Sequence, residues 1–296
     1  MFVPEILAEL RDGQYAPGAW LHFLGRSFQQ SVDDARNEPA LLRSALRQSV
    51  LLEGIALALL LWPRKRHPAS HSFRQVRRVS IAVLVQQGFV ALHLGMAQTR
   101  HGTPRFATLG AANFLTSLRG VCALLLHSSD PVDLPLFALL CAVGSGTDAL
   151  DGAVARRCGM QSRMGQMLDP ATDVCFYSAA VNAAIARGAL PRWFGWVLAT
   201  RFLLPIGAGF YRYFRWAQPL EAVHTIWGKG AGALLTVLLG LSIVRPRTAS
   251  MLCLPTSTVL VVAGALQCRR ALQPAGWTDA TGTLKISGIA TPGRTS

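Results

Sequence analysis

Four aspartates set into apolar sequence constrain this chain more than any other feature. They lie in the stretch Asp148-Ala-Leu-Asp151-Gly152-Ala-Val-Ala155-Arg156, then eight residues, then Gly165-Gln-Met-Leu-Asp169-Pro-Ala-Thr-Asp173. Only 15 of the 296 residues are acidic, so four within 26 positions is a concentration that asks for a cause. An ionised carboxylate in hydrocarbon is costly, and an acid in such a setting points to function. Asp148 and Asp151 are three apart, and Asp169 and Asp173 four apart, so each pair shares one helix face. Two such faces turned together predict a cage of four carboxylates with no cationic side chain inside it. Four acids that close cannot all stay ionised alone, which makes a divalent metal the natural partner. Oxygen-only ligands suit Mg²⁺, Mn²⁺ or Ca²⁺ rather than zinc. Gly152 and Ala155 have almost no side chain, so a ligand or a second helix can approach the backbone there. Arg156 adds a fixed cation suited to phosphate.

With 51% hydrophobic residues and a mean hydropathy of +0.33, the chain is too apolar for an ordinary soluble protein. Apolar runs of about 18 residues recur, which predicts membrane-spanning helices. The net charge of +14 reads as basic cytoplasmic loops facing anionic lipid. No aromatic-basic interleaving supports nucleic acid as a partner. The six cysteines are scattered without a C-x-x-C, so neither a zinc site nor a disulfide framework is indicated.

The expected fold is all-α: a polytopic membrane protein with a six-helix transmembrane core over 109–270. The six helices are expected near 109–127, 133–156, 168–187, 192–211, 225–244 and 249–267. The N-terminal region, 1–108, reads as amphipathic, interfacial or additional membrane helices. Its start has no basic segment followed by an apolar core, so it does not read as a signal peptide. Residues 39–62 open at Pro39 and stop before Pro63, and 79–97 form another apolar run. His93 within that run reads as a tolerated polar group. Residues 271–296, rich in Gly, Thr, Ser and Pro, read as a disordered tail.

Charge in the links sets an expected orientation. Arg157, Arg163, Arg212 and Arg215 lie at the same end as the aspartates, which places that end in the cytoplasm. The densest basic stretch, Arg64 to Arg78, would also be cytoplasmic by this rule. The two assignments conflict if 79–97 crosses the membrane. Either that run is re-entrant or interfacial, or the basic stretch breaks the rule.

Two cations lie in or beside apolar runs. Arg201 falls within 192–211, where it reads either as a buried salt bridge or as a cradle for an acceptor phosphate. Lys229 follows Trp227-Gly228, where it reads either as a snorkelling lysine or as a second phosphate contact. Asn113 and Thr116, three apart at the start of the first core helix, either cap and pack that helix end or hydrogen-bond a nucleotide.

The aspartate stretch resembles the signature of the CDP-alcohol phosphatidyltransferase family, D-x2-D-G-x2-A-R-x8-G-x3-D-x3-D. All eight defining positions are filled, by Asp148, Asp151, Gly152, Ala155, Arg156, Gly165, Asp169 and Asp173. Asn113, Thr116 and Arg119 resemble the N-x-x-T-x-x-R that opens the family's first core helix. The resemblance implies an integral membrane enzyme of phospholipid synthesis. It would move a phosphatidyl or similar phosphoalcohol group from a CDP-linked donor such as CDP-diacylglycerol to a hydroxyl acceptor, releasing CMP. It further implies Mg²⁺ or Mn²⁺ on Asp148, Asp151, Asp169 and Asp173, with Asp173 also the general base. Gly152, Ala155, Arg156 and Gly165, with Asn113 and Thr116, would serve substrate, and a homodimer is the implied assembly.

Arg201 and Gly228-Lys229 resemble in part the phosphatidylglycerophosphate synthases of that family, whose acceptor is glycerol 3-phosphate. This chain departs from them at Arg201-Phe202 and Ala231-Gly232, and from the common family stretch Ala-Asp-Lys at Thr172-Asp173-Val174. Inositol phosphate, serine, a free alcohol, or a CDP-aminoalcohol donor with diacylglycerol as acceptor are the other substrates considered. A non-enzymatic divalent-cation protein or transporter is the alternative class. A transporter alternates access to both sides, whereas all four aspartates cluster at one end.

Overall fold

Prolines and a serine mark where helices begin. Pro17, Pro39 and Pro246 each sit in a first turn, where a missing N–H leaves no intrahelical bond unmade. Ser162 caps another helix, its Oγ accepting the Gly165 N–H at 3.0 Å. A computed structural model describes residues 4–61, 73–97, 106–128, 134–159, 161–216 and 226–272. The order is α1 (Pro4–Asp12), α2 (Pro17–Asn37), α3 (Pro39–Leu60), α4 (Phe73–Leu92), α5 (Gly110–Ser128), α6 (Leu134–Arg157), α7 (Arg163–Ala186), α8 (Arg192–Trp216), α9 (Ile226–Val244) and α10 (Pro246–Ala271). A 3₁₀ turn, Leu94–Met96, follows α4. The described residues contain no strand, as an all-α chain requires. The expected disordered tail lies almost wholly outside the described residues, as does the first part of the basic stretch.

Four helices, α6, α8, α9 and α10, are long and apolar enough to cross a membrane. Where six spans were expected there are six helices, α5 to α10, and four of them have the composition of a span. α5 and α7 differ because polar residues interrupt them: Asn113, Thr116, Ser117 and Arg119 in one, Asp169, Thr172 and Asp173 in the other. α5 turns its polar residues inward, and all four are buried. α7 starts at Arg163 rather than near 168, because Ser162 caps it and Pro170 is accommodated within the helix. The apolar run expected at 79–97 is a helix from Phe73 to Leu92, so α4 begins inside the basic stretch.

α5 lies at the centre, with α3, α4, α6 and α7 against it. The Leu109 N–H donates to Ser44 Oγ at 3.2 Å, and Gln75 Nε2 of α4 donates to the Ser128 carbonyl at 2.6 Å. The start of α3 thus sits at the start of α5, and the start of α4 at its far end. Leu41, Ala45, Val90, Leu94, Leu109, Met164 and Leu168 close a smaller core where α5 and α7 begin. The larger core joins α3 and α4 to α5 through α10, with residues such as Leu52, Val83, Leu125, Leu140, Phe176, Phe194, Leu235 and Leu260. Arg74, Arg77 and Arg78 therefore lie near Ser128, about 14 Å along α5 from Arg119. The charge rule assigned the basic stretch and the aspartates to one side; the described arginines of that stretch lie away from the aspartates along the bundle.

At the other end, α2 meets the close of α8. Trp20 stacks edge-on to Phe214 with centroids 5.1 Å apart, and Tyr15 Oη donates to the Phe214 carbonyl at 2.8 Å. Leu21, Leu24 and Phe28 form an exposed apolar stripe on α2, while His22, Arg26, Asp33 and Arg36 lie on a different side. Apolar and charged side chains thus fall on separate sides of α2.

α6 and α7 pack tightly where Gly144 faces Phe176. A Cβ at Gly144 would come within 2.1 Å of the Phe176 ring, which is fully buried. Gly144→Ala is expected to lower stability by about 1–3 kcal/mol, read as a lower melting temperature in detergent. Gly146→Ala, with nothing within 4 Å of the new methyl, is expected to leave melting unchanged or slightly raised.

Candidate active site

Asp148 and Asp151 lie in the C-terminal half of α6, and Asp169 and Asp173 in the first half of α7. The antiparallel helices turn both pairs toward α5. Thr116 Oγ1 lies 2.9 Å from Asp169 Oδ1 and 3.3 Å from Asp151 Oδ2, tying the two helices together through α5. Asp151 Oδ1 also accepts the Gly152 N–H at 2.6 Å.

Arg119, one turn beyond Thr116, is fully buried at the centre of all four carboxylates. Its Nη1 pairs with Asp173 and, at 3.3 Å, with Asp148. Its Nη2 pairs with Asp151 and, at 4.0 Å, with Asp169. Each arm of the fork therefore holds one aspartate from α6 and one from α7. This corrects the expectation of a cage without a cation. Arg119 lies 29 residues before Asp148 in sequence, and only the rotation of α5 brings it inside. The signal was available in the N-x-x-T-x-x-R spacing, which puts Asn113, Thr116 and Arg119 on one helix face.

If all four acids are ionised, a single guanidinium leaves them with a formal charge of −3. Among the described residues no group of three acids, histidines or cysteines is arranged to hold a metal ion. Arg119 lies within 4.0 Å of one oxygen of each carboxylate. The donor set still fits a hard divalent cation in kind: it is all oxygen, carries excess negative charge, and already surrounds a cation. Asp148, Asp169 and Asp173 also keep about a third of their side chains exposed, at 39%, 38% and 32%.

The other expected residues divide into two sets. Asn113 is buried and donates to the Leu109 carbonyl at 2.7 Å. A Cβ at Gly165 would lie 3.2 Å from Asn113 Oδ1, so the small residue lets α7 approach α5. Gly152 and Ala155 are half-buried, and exposed Arg156 folds back so that its Nη1 would lie 3.2 Å from a Cβ at Gly152. Arg201 belongs elsewhere: it packs along Gly264 and donates from Nη1 to Gln267 Oε1 of α10 at 2.6 Å. Lys229 is exposed in the first turn of α9.

The sequence profile described as CDP-alcohol phosphatidyltransferase matches residues 109–267, which contain α5 to α9 and nearly all of α10. The chain belongs to the CDP-alcohol phosphatidyltransferase family, a family of membrane enzymes that make phospholipids. It is 36% identical over 91 residues to the archaetidylinositol phosphate synthase of Pyrococcus horikoshii. That match covers 31% of this chain and 45% of the relative, so the chain spans under half of the relative's length. No solved structure matches the chain.

Removing one partner of a buried ion network costs roughly 3–5 kcal/mol. Arg119→Leu is therefore expected to lower the melting temperature far more than Asp148→Asn. Asp148 is the most exposed of the partners and sits 3.3 Å from the guanidinium. Equal losses in the two variants would show that the network is not centred on Arg119.

Proposed function

We propose that this chain transfers a substituted phosphate group from a CDP-linked lipid donor, such as CDP-diacylglycerol, to the hydroxyl of a small alcohol. The observation that carries the reading is the meeting of Asp148, Asp151, Asp169 and Asp173 around one cationic centre, in a chain that belongs to the family. Mg²⁺ or Mn²⁺ held by these four carboxylates would supply positive charge to the donor pyrophosphate and the departing CMP.

The chain's own residues then have distinct tasks. Thr116 orients Asp169 and Asp151, and Arg119 keeps the carboxylates together while offsetting part of their charge. Gly152 and Ala155 leave room for the CDP moiety, with Gly165 and Asn113 completing that wall. Arg156 pairs with a donor phosphate. Asp173 takes the proton from the acceptor hydroxyl, on the oxygen not engaged by Arg119. A bond forms between the acceptor oxygen and the phosphorus next to the alcohol. The bond from that phosphorus to the CMP oxygen breaks, and CMP leaves with the electron pair.

A phosphorylated polyol is the acceptor this reading favours. Glycerol 3-phosphate follows from Arg201 and Lys229, and inositol phosphate from the name of the Pyrococcus relative. Arg201 keeps its bond to Gln267 and still has N–H donors in its fork for a phosphate. The chain is an integral membrane protein, and we assign the aspartate end to the cytoplasmic face on the strength of Arg157, Arg163, Arg212 and Arg215. A homodimer is the assembly in keeping with the family.

The test is metal-dependent CMP release by purified protein given CDP-diacylglycerol and a panel of acceptors. Release with one acceptor is expected, abolished by EDTA and reduced by about 10²-fold or more in Asp173→Asn, the scale of a general base. Failure to bind any CDP-linked ligand would overturn the reading and favour a cation-binding membrane protein.

A further inference from the structure

The helices that precede the family region grip α5 beside the aspartate site. α4 presents Gln75, Val79, Val83, Gln86 and Val90 along one face, and the three valines are buried. Two glutamine amides on that face bond backbone carbonyls of α5. Gln75 Nε2 donates to Ser128 at 2.6 Å, and Gln86 Nε2 donates to Ser117 at 2.8 Å. The donors are eleven residues apart, the acceptors are eleven apart in the opposite direction, and a single antiparallel register satisfies both. From α3, buried Gln48 donates through Nε2 to Ser117 Oγ at 2.9 Å. Both glutamines thus converge on Ser117, which lies between Thr116 and Arg119. Gly120 makes this approach feasible, since a Cβ there would fall 2.4 Å from Gln86 Nε2.

Apolar packing in lipid does little to fix how far one helix slides along another, because lipid tails are as apolar as the side chains. Interhelical hydrogen bonds do fix it, and contribute about 0.6–2 kcal/mol each. A slip of one residue along α5 shifts it about 1.5 Å and rotates it about 100°. Either change takes Arg119 off the carboxylates and Thr116 off Asp169.

We propose that the α3–α4 hairpin, outside the region matched by the family, is a positioning element of the carboxylate site. Gln86 and Gln48 are its positioning residues: they hold α5 where Thr116 and Arg119 meet the four aspartates. They touch α5 rather than the carboxylates. The catalytic part of this inference rests on the phosphotransfer reading; the effect on the carboxylates does not.

The test uses the full chain in detergent, with thermal melting, CMP-release kinetics and Mn²⁺ binding followed by the electron paramagnetic resonance of free Mn²⁺. Gln86→Met keeps side-chain length and removes the donor. It is expected to lower kcat by about tenfold to a hundredfold, leave the donor KM within about twofold, and weaken Mn²⁺ binding about tenfold, the scale for groups that orient ligands. Gly120→Ala, which keeps Gln86 but displaces its amide, is expected to repeat the pattern and decides the matter if Gln86→Met does not fold. Leu84→Ala, exposed away from α5, is expected to change none of these. Wild-type kcat and Mn²⁺ affinity in folded Gln86→Met and Gly120→Ala would overturn the proposal. If the unaltered chain releases no CMP, the phosphotransfer reading fails, and the Mn²⁺ measurements alone decide whether the hairpin positions the site.

Discussion

A buried guanidinium shared by four carboxylates is the interaction on which the rest of the structure depends. Arg119 and Asp151 are buried and could not sit singly in an apolar bundle, since an unpaired buried charge costs several kcal/mol. Together they compensate one another, and each arm of Arg119 joins an aspartate of α6 to one of α7. Thr116 adds a hydroxyl between Asp151 and Asp169. Three helices are thereby fixed in rotation, because turning any one of them would strand a charge.

That constraint explains the division of labour among the helices. α5 and α7 carry the polar residues and so lack the composition of a simple span, while α6, α8, α9 and α10 are apolar enough to cross a membrane. A helix as polar as α5 needs cover on every side, and the α3–α4 hairpin supplies it on the flank away from α6 and α7. Its own outer face is apolar, with Ile81, Leu84, Val85 and Phe89 exposed, as suits contact with lipid. Its inner face carries glutamines whose amides find partners on α5.

The small residues of the signature have a physical meaning in this arrangement. Gly165 lets α7 come against Asn113, and Gly144, outside the signature, lets α6 come against Phe176. Gly152 meets only the returning arm of Arg156, so its lack of a side chain opens space toward the exposed side of the aspartates. One set of small residues draws helices together, and another leaves room beside the charges. Close packing and an accessible carboxylate rim follow from the same choice of residue.

Much of this was legible in the sequence. Spacing alone put each aspartate pair on one helix face, composition called for apolar helices, and the helix bounds from 110 to 271 fell within about five residues of expectation. The signature identified the family, because its residues lie close together in sequence and local helical geometry fixes how they point. Tertiary structure decided the rest. The cation inside the aspartates comes from a different helix, and no local rule states how far that helix is rotated. Arg201, which read either as a buried salt bridge or as a phosphate cradle, donates to Gln267 on α10, a partner 66 residues away that no local rule picks out. Gln48 and Gln86 belong to no motif, and only their contact with Ser117 gives them a task. Periodicity determines the face on which a side chain lies; which helix that face meets depends on the packing of the whole bundle, where the cost of an unpaired charge selects the arrangement.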